Sequence, residues 1–381
     1  MIIVHLITSI DKGGAETHLY SLIKKQIENK NKVYVVFLKG NGYWKNFLNK
    51  IGVKVFKLSF NNNYNPLNFI KVFFNLKKLI LKINPDIVHA HLSTMELFGA
   101  LIKFRLKKRF NFFITKHLDS FFLEASFGRK IFLRGIFIDK FIINQCDKVI
   151  CISKQVKKYF KSEIPKKNKY RIIYYGFSNV DFKSNVNLES IFKKIRLKYK
   201  INKKDFIVTN IARHVRQKSL DVLLKAYSIY IRKAKNSKLI MVGNGTENNN
   251  LKSLAIKLKI NHHICWINNY EKIKDIFLLS DVFILPSKYE GLGLVLLESM
   301  SAKTPIIASN SSAIPELIKN NYNGFLFKEG NYKDLADKIK LIENKDIRKK
   351  FSKNGFKFLN KNFDLNVMYD LTSKIYTSSR K

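Results

Sequence analysis

Short apolar runs alternate with longer amphipathic stretches along this chain, and the alternation starts twice. The first series of runs is Ile2–Ile7, Val33–Leu38, Val53–Leu58, Asp86–Ala90, Phe112–Thr115, Lys148–Ile152 and Arg171–Tyr174. Helical spacing fills the intervals, as at Glu16–Ile27, Leu67–Ile83 and Arg129–Ile143. Strands separated by helices of this length predict βαβ units and a parallel sheet with helices on both faces. Around Ser178–Lys204 the chain turns polar and lysine-rich. The pattern then restarts with Phe206–Ile211, Leu239–Val242, Ile264–Ile267, Val282–Leu285, Ile306–Ala308 and Phe325–Phe327, interleaved with Leu220–Ile231, Leu251–Leu258 and Leu294–Met300. The expected fold is α/β: two doubly wound, parallel-sheet, Rossmann-like domains over residues 1–180 and 181–360. A last helix over 361–381 is expected to pack back on the first domain. In such sheets ligands bind outside the carboxyl ends of the strands. Two sheets facing each other would place the site in the cleft between them. The Asn-rich patches Asn61–Asn63 and Asn248–Asn250 read as loops.

Composition narrows the class. Of 381 residues, 46% are apolar and 26% charged, the balance of a folded globular chain rather than a disordered one. Cys146, Cys151 and Cys265 have neither CxxC nor zinc-ligand spacing, which predicts buried thiols in a reducing compartment. The first residues read as a strand and not as a signal peptide, and no apolar stretch approaches the ~20 residues that span a bilayer. A cytoplasmic location is expected. The formal net charge of +43 favours polyanions, either nucleic acid or the anionic cytoplasmic leaflet. Codon bias also contributes, since Lys, Asn, Ile and Phe are all abundant. A nucleic-acid-binding protein is what charge alone suggests. That reading requires a recognised module with exposed aromatics among the cations. No such module is present and the charge is dispersed, so nucleic acid is not expected as a partner.

Three motifs carry chemistry. Gly13-Gly14-Ala15-Glu16-Thr17 follows the first strand. Its glycines allow close backbone approach, and the next helix presents free N–H groups. A plain strand-to-helix turn would look similar. Arg213 follows the first strand of the second half, and Lys218 falls where the next helix begins. Together they could grip a diphosphate, Arg by its fork and Lys as a point charge, although chance pairs are common in so basic a chain. The third is Glu290-Gly291-Leu292-Gly293-Leu294-Val295-Leu296-Leu297-Glu298. A strand ends, Glu290 sits in a loop, glycines expose amides and a helix begins. Carboxylates suit vicinal sugar hydroxyls, and the helix start suits phosphate oxygens. A helix cap plus a surface Glu is the plain alternative, but Glu298 interrupts an apolar face, and a buried carboxylate needs a partner.

With these residues in view, the sequence resembles the retaining GT-B glycosyltransferases usually called family 4. The Glu290-x7-Glu298 element resembles the family hallmark. So do Pro286–Ile318, with Pro305-Ile306-Ile307-Ala308 and Ile314-Pro315-Glu316-Leu317-Ile318, and Val242-Gly243-Asn244-Gly245, Ile150-Cys151-Ile152-Ser153 and Ile172–Phe182, which contains Gly176 and Val180-Asp181-Phe182. The resemblance implies that Gly13, Gly14, Arg213, Lys218, Gly293 and Leu294 bind the donor diphosphate. It places Glu290, Gly291 and Leu292 on the donor sugar and Glu298 on the ribose. Trp266 and Ile267 fall where the nucleobase is placed. His117 matches a histidine near the reacting centre, so His117 and Glu290 are the candidate catalytic residues. Read alone, a histidine in such a position is more often a satisfied structural residue. Ala212 and Ser219 stand where glycine is usual, and Tyr175 replaces an Asn. His89 and His91 lie at a strand end facing the same cleft; with no third ligand apparent, no metal role is expected of them.

The activity this implies is transfer of a hexose or N-acetylhexosamine from a nucleoside-diphosphate sugar, with UDP favoured over GDP, to a lipid-linked or surface-polysaccharide acceptor. No Asp-x-Asp occurs in the sequence. Arg213, Lys218 and helix amides could instead neutralise the leaving diphosphate, so neither metal nor cofactor is expected. Family stereochemistry is retaining, with the acceptor attacking the face the diphosphate leaves. A sugar-nucleotide epimerase or phosphorylase on the same fold is the alternative reaction. Two basic, apolar stretches, Leu97–Phe113 and Phe127–Ile143, suggest interfacial helices on an anionic membrane surface at the inner face of the cytoplasmic membrane. Core helices with solvated lysines would look similar.

Overall fold

The computed structural model describes residues 1–58, 66–118, 129–178, 188–234, 236–268, 270 and 272–378, without the side chains of 108 and 129–134. Asn61–Asn63, Val180-Asp181-Phe182 and the start of the Phe127–Ile143 stretch lie outside the described residues. Two compact units form: Met1–Phe177 with Phe363–Lys381, and Ser178–Asn362.

Unit 1 holds β1 (Ile2–Ser9), β2 (Lys32–Lys39), β3 (Lys54–Lys57), β4 (Ile87–His91), β5 (Asn111–Lys116), β6 (Lys148–Cys151) and β7 (Tyr170–Ile172), in the order β3-β2-β1-β4-β5-β6-β7. Unit 2 holds β8 (Phe206–Ile211), β9 (Ser237–Val242), β10 (Ile264–Ile267), β11 (Val282–Leu285), β12 (Ile306–Ser309) and β13 (Phe325–Phe327), in the order β10-β9-β8-β11-β12-β13. Every ladder is parallel, so each strand needs a crossover, and the inner strands are covered on both faces. That is why Val33 to Leu38 is an unbroken buried run and not an alternating one. The helix Gly14–Glu28 buries Leu19, Leu22, Ile23 and Gln26 on a single stripe.

In both sheets the order grows outward from the first strand, then resumes on its other side. The reversals fall between β1 and β4 and between β8 and β11. A crevice opens at such a switch point, outside the carboxyl ends of the strands. Four loops therefore border the two crevices: those after β1, β4, β8 and β11. The β8–β11 ladder stops at Thr209–Phe283, and beyond it Asn210 Nδ2 donates to the Ile284 carbonyl at 2.8 Å. A buried side-chain amide thus spans the gap where the strands part.

The chain leaves unit 1 after Phe177 and rejoins it at Phe363, where the Phe177 N–H donates to the Phe363 carbonyl at 2.8 Å. The helix Leu365–Ser378 then packs on this unit, burying Met368 and Tyr376. Gly176 is required here, because a Cβ would lie 2.6 Å from Leu365 Cα.

Two expectations need correction. Asn248–Asn250 is not a loop but the first turn of the helix Asn248–Lys257. Its amides find local partners: Asn250 Nδ2 donates to Glu247 Oε2 at 3.0 Å, and Asn248 Oδ1 bonds His214 Nδ1 at 2.5 Å. Leu97–Phe113 is not a single helix, and most of its apolar residues face the core. Phe98, Ala100 and Ile102 on the helix Ser93–Leu106, Phe112 and Phe113 on strand β5, and Phe110 in the turn between them are all buried. Gly99 lets that helix sit on the sheet, since a Cβ would meet the Phe112 ring at 2.6 Å. All three cysteines are free and buried.

Candidate active site

In unit 2, Lys218 and Glu290 meet. Lys218 ends the turn after β8, just before the helix Leu220–Ile231, and Glu290 lies in the loop after β11. Lys218 Nζ stands 2.5 Å from Glu290 Oε1, with both side chains largely buried. The two loops are also tied through the backbone. Lys288 N–H donates to the Gln217 carbonyl at 2.9 Å, and Gln217 Nε2 donates to the Tyr289 carbonyl at 2.9 Å. A third loop, after β12, supports the second: Ser312 Oγ donates to the Glu290 carbonyl at 2.9 Å, and Ser309 and Ser311 reach the carbonyls of Ser287 and Lys288. The acid is therefore held by its side chain and by its backbone.

Arg213 is exposed, and its guanidinium has no hydrogen-bond or ion-pair partner among the described residues. In a chain with this few acids that leaves a cation able to take an incoming anion. Gly293 turns through φ +92 and begins the helix Leu294–Ser301, whose first amides no side chain caps. Gly291 and Leu292, between Glu290 and that helix, are buried. On the helix, Glu298 keeps part of its surface accessible, yet protein crowds its carboxyl. Loss of hydration raises its pKa to about 7. No cation or hydrogen-bond donor answers it among the described residues, so the carboxyl has room for a ligand's hydroxyls.

The family-like glycines have a local cause. Gly243 has φ +142, and a Cβ there would lie 1.9 Å from the Ala212 carbonyl oxygen; at Gly245 it would lie 2.2 Å from the His214 carbonyl oxygen. The turn after β9 thus presses against the segment that carries Arg213. Ser219, where glycine is usual, has left-handed φ 46. Trp266, on the outermost strand β10, packs on the unit's core and faces the His214 ring edge-on at 6.0 Å, while Ile267 is buried and accepts from Gly243 N–H. Among the described residues, none of these contacts joins them to the Lys218–Glu290 pair.

In unit 1, Gly13 and Gly14 begin the helix after β1, and Glu16 in its first turn accepts from Ser9 Oγ at 2.9 Å. His117 follows β5 and is buried. It belongs to a group of five buried histidines: His5, His18, His89, His91 and His117. Burial drives every ring toward the neutral form. His5 falls to about 4 and His117 to about 3, helped by adjacent Lys116, and the other three lie well below their ordinary value. The sequence offered no third neighbour for His89 and His91; the structure supplies His5, paired across the ladder with His89. Two polar residues in an apolar strand, spaced by two in β4 and matched by a third in β1, are the signal that could have found it. Tyr175, noted only as a departure, gives its hydroxyl to His117 Nδ1 at 2.6 Å.

Comparison with known proteins agrees with this architecture. The model for Glycosyltransferase Family 4 matches residues 12–178, and that for glycosyl transferases group 1 matches 191–358. An uncharacterised glycosyltransferase of Methanocaldococcus jannaschii, MJ1069, is 30% identical over 92% of this chain and 91% of its own. The N,N'-diacetylbacillosaminyl-diphospho-undecaprenol alpha-1,3-N-acetylgalactosaminyltransferase of Campylobacter jejuni is 26% identical over 91% and 92%. Among solved structures, Anabaena HepE in complex with UDP and glucose superposes with a TM-score of 0.86 at 20% identity, covering 99% and 100% of the two chains. The chain belongs to the group 1, GT-B glycosyltransferases.

Proposed function

We propose that this glycosyltransferase moves a hexose or N-acetylhexosamine, with retention, from a UDP-sugar to a lipid-linked or surface-polysaccharide acceptor, without a metal. The Lys218–Glu290 contact carries the reading. It sets a cation beside a carboxylate at the switch point of unit 2, with free Arg213 and the start of the helix Leu294–Ser301 in the neighbouring loops. Lys218 has three donors, so it can keep Glu290 and still reach a phosphate oxygen. Arg213 and Lys218 would bind the departing diphosphate, with Gly293 and Leu294 supplying amides. Glu290, Gly291 and Leu292 would hold the donor sugar, and Glu298 the ribose. Trp266 and Ile267 remain the candidates for the base. From unit 1, His117 and the Gly13–Gly14 turn are assigned to the same reaction. Two positive side chains and oriented amides do here what a divalent cation does elsewhere, stabilising the charge that grows on the leaving group. HepE's complex with UDP supports the base, and the alpha-1,3 linkage in the Campylobacter relative's name is what retention yields from an α-linked sugar nucleotide.

Calorimetric titration with UDP- and GDP-sugars, with and without EDTA, tests the donor assignment. UDP-sugar binding indifferent to EDTA is expected; binding of neither nucleotide, or binding abolished by EDTA, refutes it. Product anomeric configuration, read by NMR, tests retention.

A peripheral membrane position is supported by a surface that the sequence suggested only in part. On the helix Pro66–Ile83, Leu67, Ile70, Phe74 and Leu81 point outward, with Leu67 71% and Phe74 58% exposed, among exposed Lys71, Lys78 and Lys82. That helix neighbours Ser93–Leu106, which neighbours Arg129–Gln145, and these add exposed Phe104, Phe137 and Ile138. No helix among the described residues is long and apolar enough to cross a membrane. Flotation with vesicles containing an anionic lipid is expected; loss of flotation in Phe74→Glu/Phe137→Glu would locate it on this face, and no flotation at moderate salt would discard it.

A further inference from the structure

The five buried histidines of unit 1 are more than a packing feature, because three of them, with Gln26 and Tyr175 at the ends, form a single hydrogen-bonded line of five side chains. Gln26 Oε1 meets His5 Nε2 at 2.9 Å, His5 Nδ1 meets His91 Nε2 at 3.2 Å, His91 Nδ1 meets His117 Nε2 at 3.2 Å, and His117 Nδ1 meets the Tyr175 hydroxyl at 2.6 Å. A neutral imidazole has one N–H and one bare nitrogen, so fixing one end of such a line fixes every ring in it. Gln26 Oε1 can only accept. His5 must then carry its proton on Nε2, which leaves Nδ1 bare to accept from His91 Nε2–H. By the same step His91 Nδ1 accepts from His117 Nε2–H, and His117 Nδ1 accepts from Tyr175 O–H.

We propose that Gln26 is a positioning residue: acting through His5 and His91, it holds His117 as the Nε2–H tautomer and leaves Nδ1, beside Tyr175, as that ring's only proton-accepting atom. Any proton His117 takes during transfer would enter at Nδ1, where the Tyr175 hydroxyl stands, and not at Nε2, which is committed to His91. This rests on the reading of His117 as part of the site only for its use in catalysis; the tautomer itself is a property of the line.

The same rings invite a metal, since His5, His89 and His91 offer ligand atoms within 4.8 Å of one another. The surroundings argue otherwise. His89 is already held on both sides, by Tyr376 Oη at 2.5 Å and Thr115 Oγ1 at 2.8 Å. All six ring nitrogens of the three residues have partners, and no carboxylate is among them. A divalent cation buried with neutral ligands and no anion would bear a large desolvation cost.

The test is long-range 1H–15N correlation on the full-length protein, 15N-labelled at histidine, at neutral pH. His5, His91 and His117 should each show a protonated Nε2 and a bare Nδ1. In Gln26→Met both directions along the line become available, so the two nitrogens of His117 should move toward averaged shifts although Gln26 does not touch that ring. Tyr175→Phe, which removes a direct partner of His117, should leave Nε2 protonated, because the Gln26 end still sets the direction. A protonated Nδ1 in any of the three wild-type rings would overturn the proposal. So would an unchanged His117 in folded Gln26→Met, or stoichiometric metal in the purified wild-type protein. If Gln26→Met does not fold, the wild-type pattern and metal content still decide.

Discussion

Lys218 Nζ and Glu290 Oε1 lie 2.5 Å apart although 72 residues separate them in sequence, and the contact joins the loops that follow β8 and β11. Because both are largely buried, each is the other's charge compensation as well as a candidate ligand for substrate. Glu290→Gln keeps shape and a hydrogen-bond acceptor but removes charge. It should leave melting within a few degrees of wild type and cut transfer by about 100-fold or more, the scale seen when one charge-stabilising contact to a transition state is lost. Lys218→Ala should cost transfer similarly and also destabilise unit 2, because an uncompensated carboxylate is left behind. Initial rates with a UDP-sugar, beside thermal melts, read both; near-normal turnover in either folded variant would remove the pair from the reaction.

Arg213 makes the contrasting prediction, since its exposed guanidinium has nothing to lose in the unliganded fold. Arg213→Ala should change stability by no more than about 0.5 kcal/mol, as at ordinary surface positions. Nucleoside-diphosphate affinity should fall by roughly 10- to 100-fold, the value of a charged hydrogen bond. Uridine affinity should not move. Equal weakening of uridine and UDP in calorimetry would place Arg213 away from the diphosphate.

Backbone conformation predicts opposite outcomes at Ser219 and Gly243. Ser219 holds φ 46 and ψ 44 without bonding its hydroxyl to the helix it precedes. Ser219→Gly should raise stability by up to about 1 kcal/mol, the relief of a left-handed residue less the added freedom of the unfolded chain. Gly243→Ala should do the reverse and severely, because its Cβ would collide with the Ala212 backbone and not with a movable side chain. Urea unfolding measures both, and a neutral Gly243→Ala would mean that the turn after β9 can withdraw from the Arg213 segment.

These positions also show what could be read in advance. Inner strands such as β2 and β11 were marked by unbroken apolar runs, because parallel strands covered on both faces need not alternate. The Glu290-x7-Glu298 spacing was legible for the same reason: a polar residue inside an apolar helix face stands out. What stayed hidden depends on meetings between distant segments. Gln26 looked like any polar residue of an amphipathic helix until β1 set His5 against it. Lys116 read as one lysine among many, yet it is buried between Glu96 and Asp139, 2.5 and 2.6 Å from their carboxyl oxygens. Outward and inward faces of Leu97–Phe113 were confused because core helices in so basic a chain still carry lysines and arginines at their ends. Exposed apolar residues on Pro66–Ile83 were missed for the converse reason, since periodicity reports an apolar stripe but not whether anything covers it.

Acid should therefore find unit 1 first. His5, with a pKa near 4 in the fold against an ordinary 6.5, binds protons more readily once unfolded; so do His117, His18, His89 and His91. For a base whose folded pKa is depressed, stability is present above the unfolded value and is lost as pH falls from about 6.5 toward the folded one, by about 1.4 kcal/mol per pH unit for each ring. Buried carboxyls act oppositely. Glu96 in unit 1 and Glu298 in unit 2 are both raised by burial to about 7 from 4.5, so the folded state binds their protons more tightly and gains stability as pH falls through that interval. Among the described residues, unit 1 sets five histidines against one such acid, whereas unit 2 sets the lowered His214 and His263 against Glu298. Calorimetry between pH 7.5 and 5 should resolve a transition that moves steeply down in temperature and a second that moves little. Limited proteolysis at pH 5 should then cut within 1–177 while the fragment spanning 178–362 survives. Cleavage confined to unit 2, or both transitions shifting together, would show that the histidine cluster is not what acid attacks.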